Sequence, residues 1–212
     1  MDSLFAPKGS IKDQDEAVCL FDSFSDILKG LNKWEVSVSN NAARPLHWYQ
    51  EQTTEASKIP AVKIPCIWFS GITMANACTH IWSFRIICLY EMERLAFSFP
   101  QLSFAQLKML GELGIKSVPQ GARNLMSQIC QSMEYLLQEE MKLFGPASAV
   151  LPLQVAYAIA TIDPNRHRAE VTVIRNIIDR VVRKGLQSFP LHIFEKNLFM
   201  HRWETLKYIS GK

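Results

Sequence analysis

The sequence predicts an all-α protein, an irregular bundle of about seven to nine helices, and three observations carry that expectation. Apolar residues recur at three- and four-residue steps over long stretches. Prolines and glycines mostly punctuate those stretches. Strict alternation of apolar and polar residues, the mark of a half-buried strand, covers only Val36 to Ser39.

Taken in order, residues 1–12 read as a flexible arm. Asp13 to Val36 forms the first helix, with Ala17, Leu20, Phe21, Phe24, Ile27, Leu28, Leu31 and Trp34 on one face. Val36 and Val38 alternate with serines as a short strand that Asn40-Asn41 ends. Arg44 to Tyr49 begins a turn or helix, and residues 51–66, polar and holding Pro60 and Pro65, form a loop. A second long helix runs from Phe69 to Ala96, its inward stripe Ile72, Ala75, Cys78, Ile81, Trp82, Ile86, Leu89 and Met92, and Phe99-Pro100 stops it. Residues 101–120 are less regular; Phe104, Leu107 and Leu110 suggest a short helical turn, and the stretch is the expected place for an insertion or mobile loop.

The clearest periodicity lies in Ala122 to Phe144, with Gly145-Pro146 as its expected stop. Pro152 opens the next helix, through Ala160, which is apolar nearly all round and therefore expected to be central. Asp163-Pro164-Asn165 is a turn. Arg166 to Lys184 follows, with Ala169, Val173, Ile174, Ile177, Val181 and Val182 inward and Gly185 as its C-terminal cap. A short helix over Leu191 to Phe199 and an irregular tail, 201–212, complete a single domain expected to cover 13–200.

Composition narrows the classes of function. The net charge of +3 is too small to imply nucleic acid, although residues 101–212 hold fourteen basic side chains against nine acidic ones. Five cysteines at wide spacings, without C-x-x-C, fit buried reduced thiols of a cytosolic or nuclear protein better than a disulfide framework. The acidic start lacks the basic and apolar regions of a secretory signal. From Ile64 to Phe84 no Asp, Glu, Lys or Arg occurs, a length that spans a bilayer if helical. Pro65, Gly71, Asn76 and His80 interrupt it, so a buried helix preceded by a loop is expected and a membrane span is not.

Catalytic chemistry finds no foothold. The histidines and cysteines share no zinc spacing; Cys78 and His80, two apart, fall on different faces of a helix. Nucleophile elbows and glycine-rich phosphate loops are absent. Glu91-x-Glu93 and Glu139-Glu140 are expected on the solvated faces of amphipathic helices rather than around magnesium. On the last long helix only Arg175 and Asn176 suit base edges, too few for DNA reading. Neither a metal nor a cofactor is therefore expected. Arg85, ending the uncharged run, either snorkels or pairs with an acid or ligand in a groove beside Trp82.

Three segments carry a family resemblance. Thr79-His80-Ile81-Trp82-Ser83-Phe84-Arg85-Ile86-Ile87-Cys88-Leu89 resembles the mid-domain helix of the fungal-specific transcription factor regulatory region. Ile129-Cys130-Gln131-Ser132-Met133-Glu134-Tyr135 resembles that family's I-C-x-S-x-x-Y helix. Gly145-Pro146 and Leu151-Pro152-Leu153-x-Val155-Ala156 follow in the same order, so the similarity covers about residues 13–190. It departs in two places. Val171–Val173 stand where the penultimate helix usually has Trp, and the six-cysteine zinc cluster that normally reads DNA is missing. A truncated gene model, a natural variant without the DNA reader and a fragment each account for the second departure.

The resemblance implies a non-catalytic regulatory domain, nuclear or else cytoplasmic, that acts through protein partners. Those include a dimer with a related transcription factor and a small-molecule effector, with no direct DNA binding by this chain. A stand-alone helical interaction module, and a pathway accessory protein or enzyme without a recognisable motif, remain the alternatives.

Overall fold

The computed structural model describes residues 14–50, 65–162 and 167–187. The expected arm, most of the 51–66 loop, the Asp163–Asn165 turn, the Leu191–Phe199 helix and the tail lie outside them. The described residues form seven α-helices, two single 3-10 turns and one two-stranded sheet. The chain is therefore mostly helical, as its periodicity dictates, with a small sheet that the periodicity does not reveal.

Helix α1 spans Gln14–Asn41. Ala17, Phe21 and Leu28 bury its inward face. The expected strand at Val36–Ser39 is instead the last turn of this helix, where the Asn41 amide donates to the Ser37 carbonyl at 2.8 Å. Extending a helix that is already formed costs far less than nucleating one, so α1 propagates through the β-branched Val36 and Val38.

Strand β1 is His47–Gln50 and β2 is Cys66–Phe69. They pair antiparallel, His47 opposite Phe69 and Trp48 opposite Trp68. Arg44–Tyr49 therefore does not begin a helix, and the second long helix does not begin at Phe69. Aromatic residues favour the pleated surface when a partner strand is available, and here the partner lies beyond the 51–64 segment. Cys66, Ile67 and Phe69 are buried.

Helix α2, Ile72–Ser98, is the hub. It packs against α1, against α3 (Ser103–Glu112), against α4 (Val118–Leu136) and against α6 (Val150–Ile162). Trp82, Ile86, Leu89, Met92 and Leu95 fill the core on its main face. Its burial is wider than one stripe, because Thr79, Ser83 and Glu91 are buried as well. Thr79 Oγ1 donates to the Ala75 carbonyl at 2.9 Å and Ser83 Oγ to the Thr79 carbonyl at 2.8 Å, so both hydroxyls enter the core satisfied. No helix among the described residues is long and apolar enough to cross a membrane.

Residues 101–120, expected to combine a short helical turn with a mobile loop, are ordered secondary structure for much of their length, and the turn is a full helix. A 3-10 turn at Pro100–Leu102 leads directly into α3. Leu102, Met109 and Leu110 are buried, which is enough to dock this short helix. Gly114, at φ 66°, ends the excursion in the left-handed region that favours glycine.

Helix α4 is shifted towards the N-terminus from its expected position. It starts at Val118, where Ser117 Oγ accepts the Gln120 amide and Pro119 sits in the first turn. It ends at Leu136, well before Phe144. A 3-10 turn at Glu139–Met141 and the short helix α5, Phe144–Ser148, follow. Gly145-Pro146 does not terminate a helix; both residues are buried inside α5. The chain turns back at Lys142 (φ 47°, ψ −125°) and lays Gly145 on the end of α4.

Helix α6 is buried on most sides, through Leu153, Val155, Ala156, Ala158, Ile159 and Ala160, as its apolar sequence requires. Helix α7, Arg168–Arg183, covers it with Ile174, Ile177, Ile178 and Val181. Ala169, expected inward, is exposed, while Val173 and Val182 are half-buried. Gly185, at φ 106°, follows the helix end as expected.

Two glycine substitutions separate close packing from helix propensity. A Cβ at Gly145 runs into the Leu136 carbonyl oxygen, a backbone atom that cannot move aside alone. Gly145→Ala is expected to destabilise by about 3 kcal/mol. At Gly111, inside α3, a Cβ meets nothing within 4 Å. Gly111→Ala is expected to stabilise by roughly 0.5–1 kcal/mol. Urea denaturation of both variants checks the opposite signs.

Candidate functional site

The two residues singled out from the sequence sit on one face of α2, a single turn apart, and meet different surroundings. Trp82 is 1% exposed. Its ring meets His47 edge-on with centroids 5.5 Å apart and Phe69 at 6.2 Å, and Phe69 in turn meets Tyr135 of α4 at 5.4 Å. Trp82 is thus the inner wall of an aromatic cluster joining the sheet, α2 and α4. Arg85 stands at the edge of that cluster and neither snorkels freely nor faces open solvent. Its Nη1 lies 2.7 Å from Glu35 Oε2 of α1, and both side chains are largely screened from water.

Glu35 also acts on His47. Burial holds the His47 imidazole below its ordinary value of 6.5, and the Glu35 carboxylate pulls it partly back. His47 Nδ1 and Arg85 Nη2 are both buried, and neither has a hydrogen-bond partner among the described residues. The site is therefore a small polar seam of Glu35, His47 and Arg85 laid over an aromatic floor. Trp82 and Arg85 are visible in the sequence; Glu35 and His47 are not, because they come from α1 and β1. The one available signal for Glu35 is an acid near the end of an otherwise apolar helical face.

The thiols near the seam are poor nucleophiles. Burial pushes Cys78 up to about 12, with the Glu35 charge adding to the rise and Arg85 opposing it. Burial raises Cys88 to about 12 in the same way, with help from Glu91. All five cysteines are free; Cys66, Cys78 and Cys88 are buried as expected, whereas Cys19 is exposed.

Of the acidic pairs, Glu139 and Glu140 are exposed, though on a 3-10 turn rather than on a helix. Glu91 and Glu93 do not form a solvated face. Glu91 is buried and paired with Arg94 at 2.8 Å, and burial raises the Glu93 carboxyl above its ordinary value. Helix α2 is enclosed on more sides than an amphipathic surface helix, which is why its acids are drawn in. His80, beside Cys78 in sequence, faces a different way and bonds the Asn76 carbonyl through Nδ1 at 2.9 Å. Among the described residues no three His, Cys, Asp or Glu side chains are grouped to hold a metal ion.

On α7, Arg175 and Asn176 are both exposed. Arg180 turns instead towards α4 and grips Glu134 through both guanidinium nitrogens, Nη2 at 2.9 Å from Oε2. Lys184 reaches Glu139 at 2.6 Å. These contacts fasten α7 to α4 and to the turn that follows it. Comparisons with protein-family models, with curated proteins and with solved structures gave no match.

The buried imidazole has a consequence for stability. Its folded-state value lies below 6.5, so the unfolded chain binds the proton more readily. The stability associated with neutral His47 is complete above pH 6.5 and declines as pH falls below it. His47→Phe keeps an aromatic ring in place and removes that titration. The variant is expected to lose less stability than the parent between pH 7.5 and 5.5, measured by chemical denaturation. Glu35→Gln is expected to move the His47 titration, followed by NMR, further down.

Proposed function

We propose that this chain is a non-catalytic regulatory domain of the fungal transcription factor type, working in the nucleus through contacts with protein partners. Its work includes pairing with a related factor and response to a small effector at the Arg85–Glu35 seam, without reading DNA itself. The observation that carries the reading is where the three resembling segments fall. Thr79–Leu89 lies in α2, Ile129–Tyr135 in α4 and Leu151–Ala156 in α6. These three helices pack on one another as the centre of the fold. Segments that resemble a family in sequence order are thus also neighbours in space, as expected of a shared core rather than of scattered coincidences.

The chemistry of the centre is in keeping with a binding role. Thr79 and Ser83 are engaged in back-bonds, Arg85 is paired with Glu35, and burial holds Cys78 and Cys88 protonated. Arg85 and Glu35 join α1 to α2, so a partner or effector that competes for either charge would shift α1 against the hub.

One observation favours a second reading, a stand-alone interaction module. Helix α3 presents Phe104, 79% exposed, and Leu107, 66% exposed, one turn apart.

Tethering separates these readings. Fused to a heterologous DNA-binding domain in a fungal host, the chain is expected to raise or lower reporter transcription reproducibly relative to the DNA-binding domain alone. A folded, nuclear fusion that leaves the reporter unchanged would overturn the regulatory reading and leave the interaction module.

A further inference from the structure

We infer that the groove between α1 and α3 is a binding site for a small amphipathic anion, a carboxylate with an apolar body. The claim is independent of the regulatory reading and lies at a different place from the Arg85–Glu35 seam. Helices α1 and α3 both pack on α2 but scarcely on each other, and a groove of about 500 Å³ opens between them. That volume suits a small organic molecule. Lys29 and Lys33 stand on the α1 side with Val36, and Met109, Leu113 and Glu112 on the α3 side.

The distribution of charge selects the occupant. Lys29 and Lys33 are four residues apart, so their ammonium groups share one face of α1 and repel. Among the described residues neither has an ion-pair or hydrogen-bond partner. An anion placed between them relieves that repulsion. Val36, Leu113 and the small exposed part of Met109 supply an apolar surface for the rest of the molecule. Glu112 on the other wall opposes a second negative charge, which favours a monocarboxylate over a dicarboxylate. The second half of α1 helps to keep the groove open: beyond Leu28 none of its residues is fully buried.

Octanoate tests the inference, with the uncharged octanol as its isostere, by displacement of a fluorescent anionic naphthalene probe from the full chain. Saturable octanoate binding about tenfold tighter than octanol is expected, the size of two exposed charge contacts. The double variant Lys29→Glu/Lys33→Glu should erase that preference. Val36→Trp, a change at an exposed position, should block both ligands by filling the groove. Circular dichroism and thermal melting confirm that each variant is folded. Equal affinity for octanol and octanoate, retention of the preference in the double variant, or the absence of saturable binding to the folded parent would each overturn the inference. Because binding is read on the isolated chain, failure here is distinguishable from failure of the transcriptional reporter.

Discussion

Helix α2 is enclosed by α1, α3, α4, α6 and strand β2, and the rest of the structure is arranged to satisfy that enclosure. A helix buried on so many sides has only a narrow solvated face, here Thr73, Asn76 and Phe84 with Phe97 and Ser98 at its end, on which to place polar groups. Elsewhere it must be apolar, or its polar groups must bond locally. Thr79 and Ser83 meet this condition by donating to carbonyls one turn back in their own helix. The remaining core positions are filled by Trp82, Ile86, Leu89, Met92 and Leu95. Burying side chains of this size stabilises by about 1.5–3 kcal/mol each, so this row alone outweighs any single ion pair in the molecule.

Charge then positions the outer helices around the hub. Arg85 reaches Glu35 of α1, and Arg180 holds Glu134 of α4 with a two-pronged contact. Such partly screened pairs add modestly to stability, but they fix orientation because a guanidinium meets a carboxylate in a restricted geometry. The Arg85 pair is the more screened from water. It borders His47, whose proton affinity is lowered by burial, and it lies over the aromatic cluster that joins the sheet to α2 and α4. Structural support and the proposed regulatory seam therefore share the same side chains.

Much of this organisation is legible in the sequence. The stripe of α4, Ala122, Met126, Ile129 and Met133, is buried as its spacing requires, and α6 is central because it is apolar all round. Trp82 and Arg85 stand out in the sequence, yet their partners do not. Glu35 is fifty positions from Arg85, and Glu134 is forty-six from Arg180. Local pattern also misplaces boundaries. Val36–Ser39 alternates like a strand but continues a helix, and Gly145-Pro146 has the form of a helix stop but packs against the end of α4 instead.

The long helices α1, α2, α4, α6 and α7, and most of the residues they turn inward, are written in the chain's own pattern, whereas α3 and α5 are not clearly marked there. The long helices and their inward faces follow from a repeat of 3.6 residues within each segment. Contacts between distant segments set the rest: that His47–Gln50 is a strand, where α4 ends, that Glu91 is buried and that α1 and α3 leave a groove between them. Each of these depends on what a distant segment brings alongside. A strand needs a partner for its amides, a buried acid needs a surrounding, and a groove needs two walls. No local periodicity encodes the identity of that neighbour.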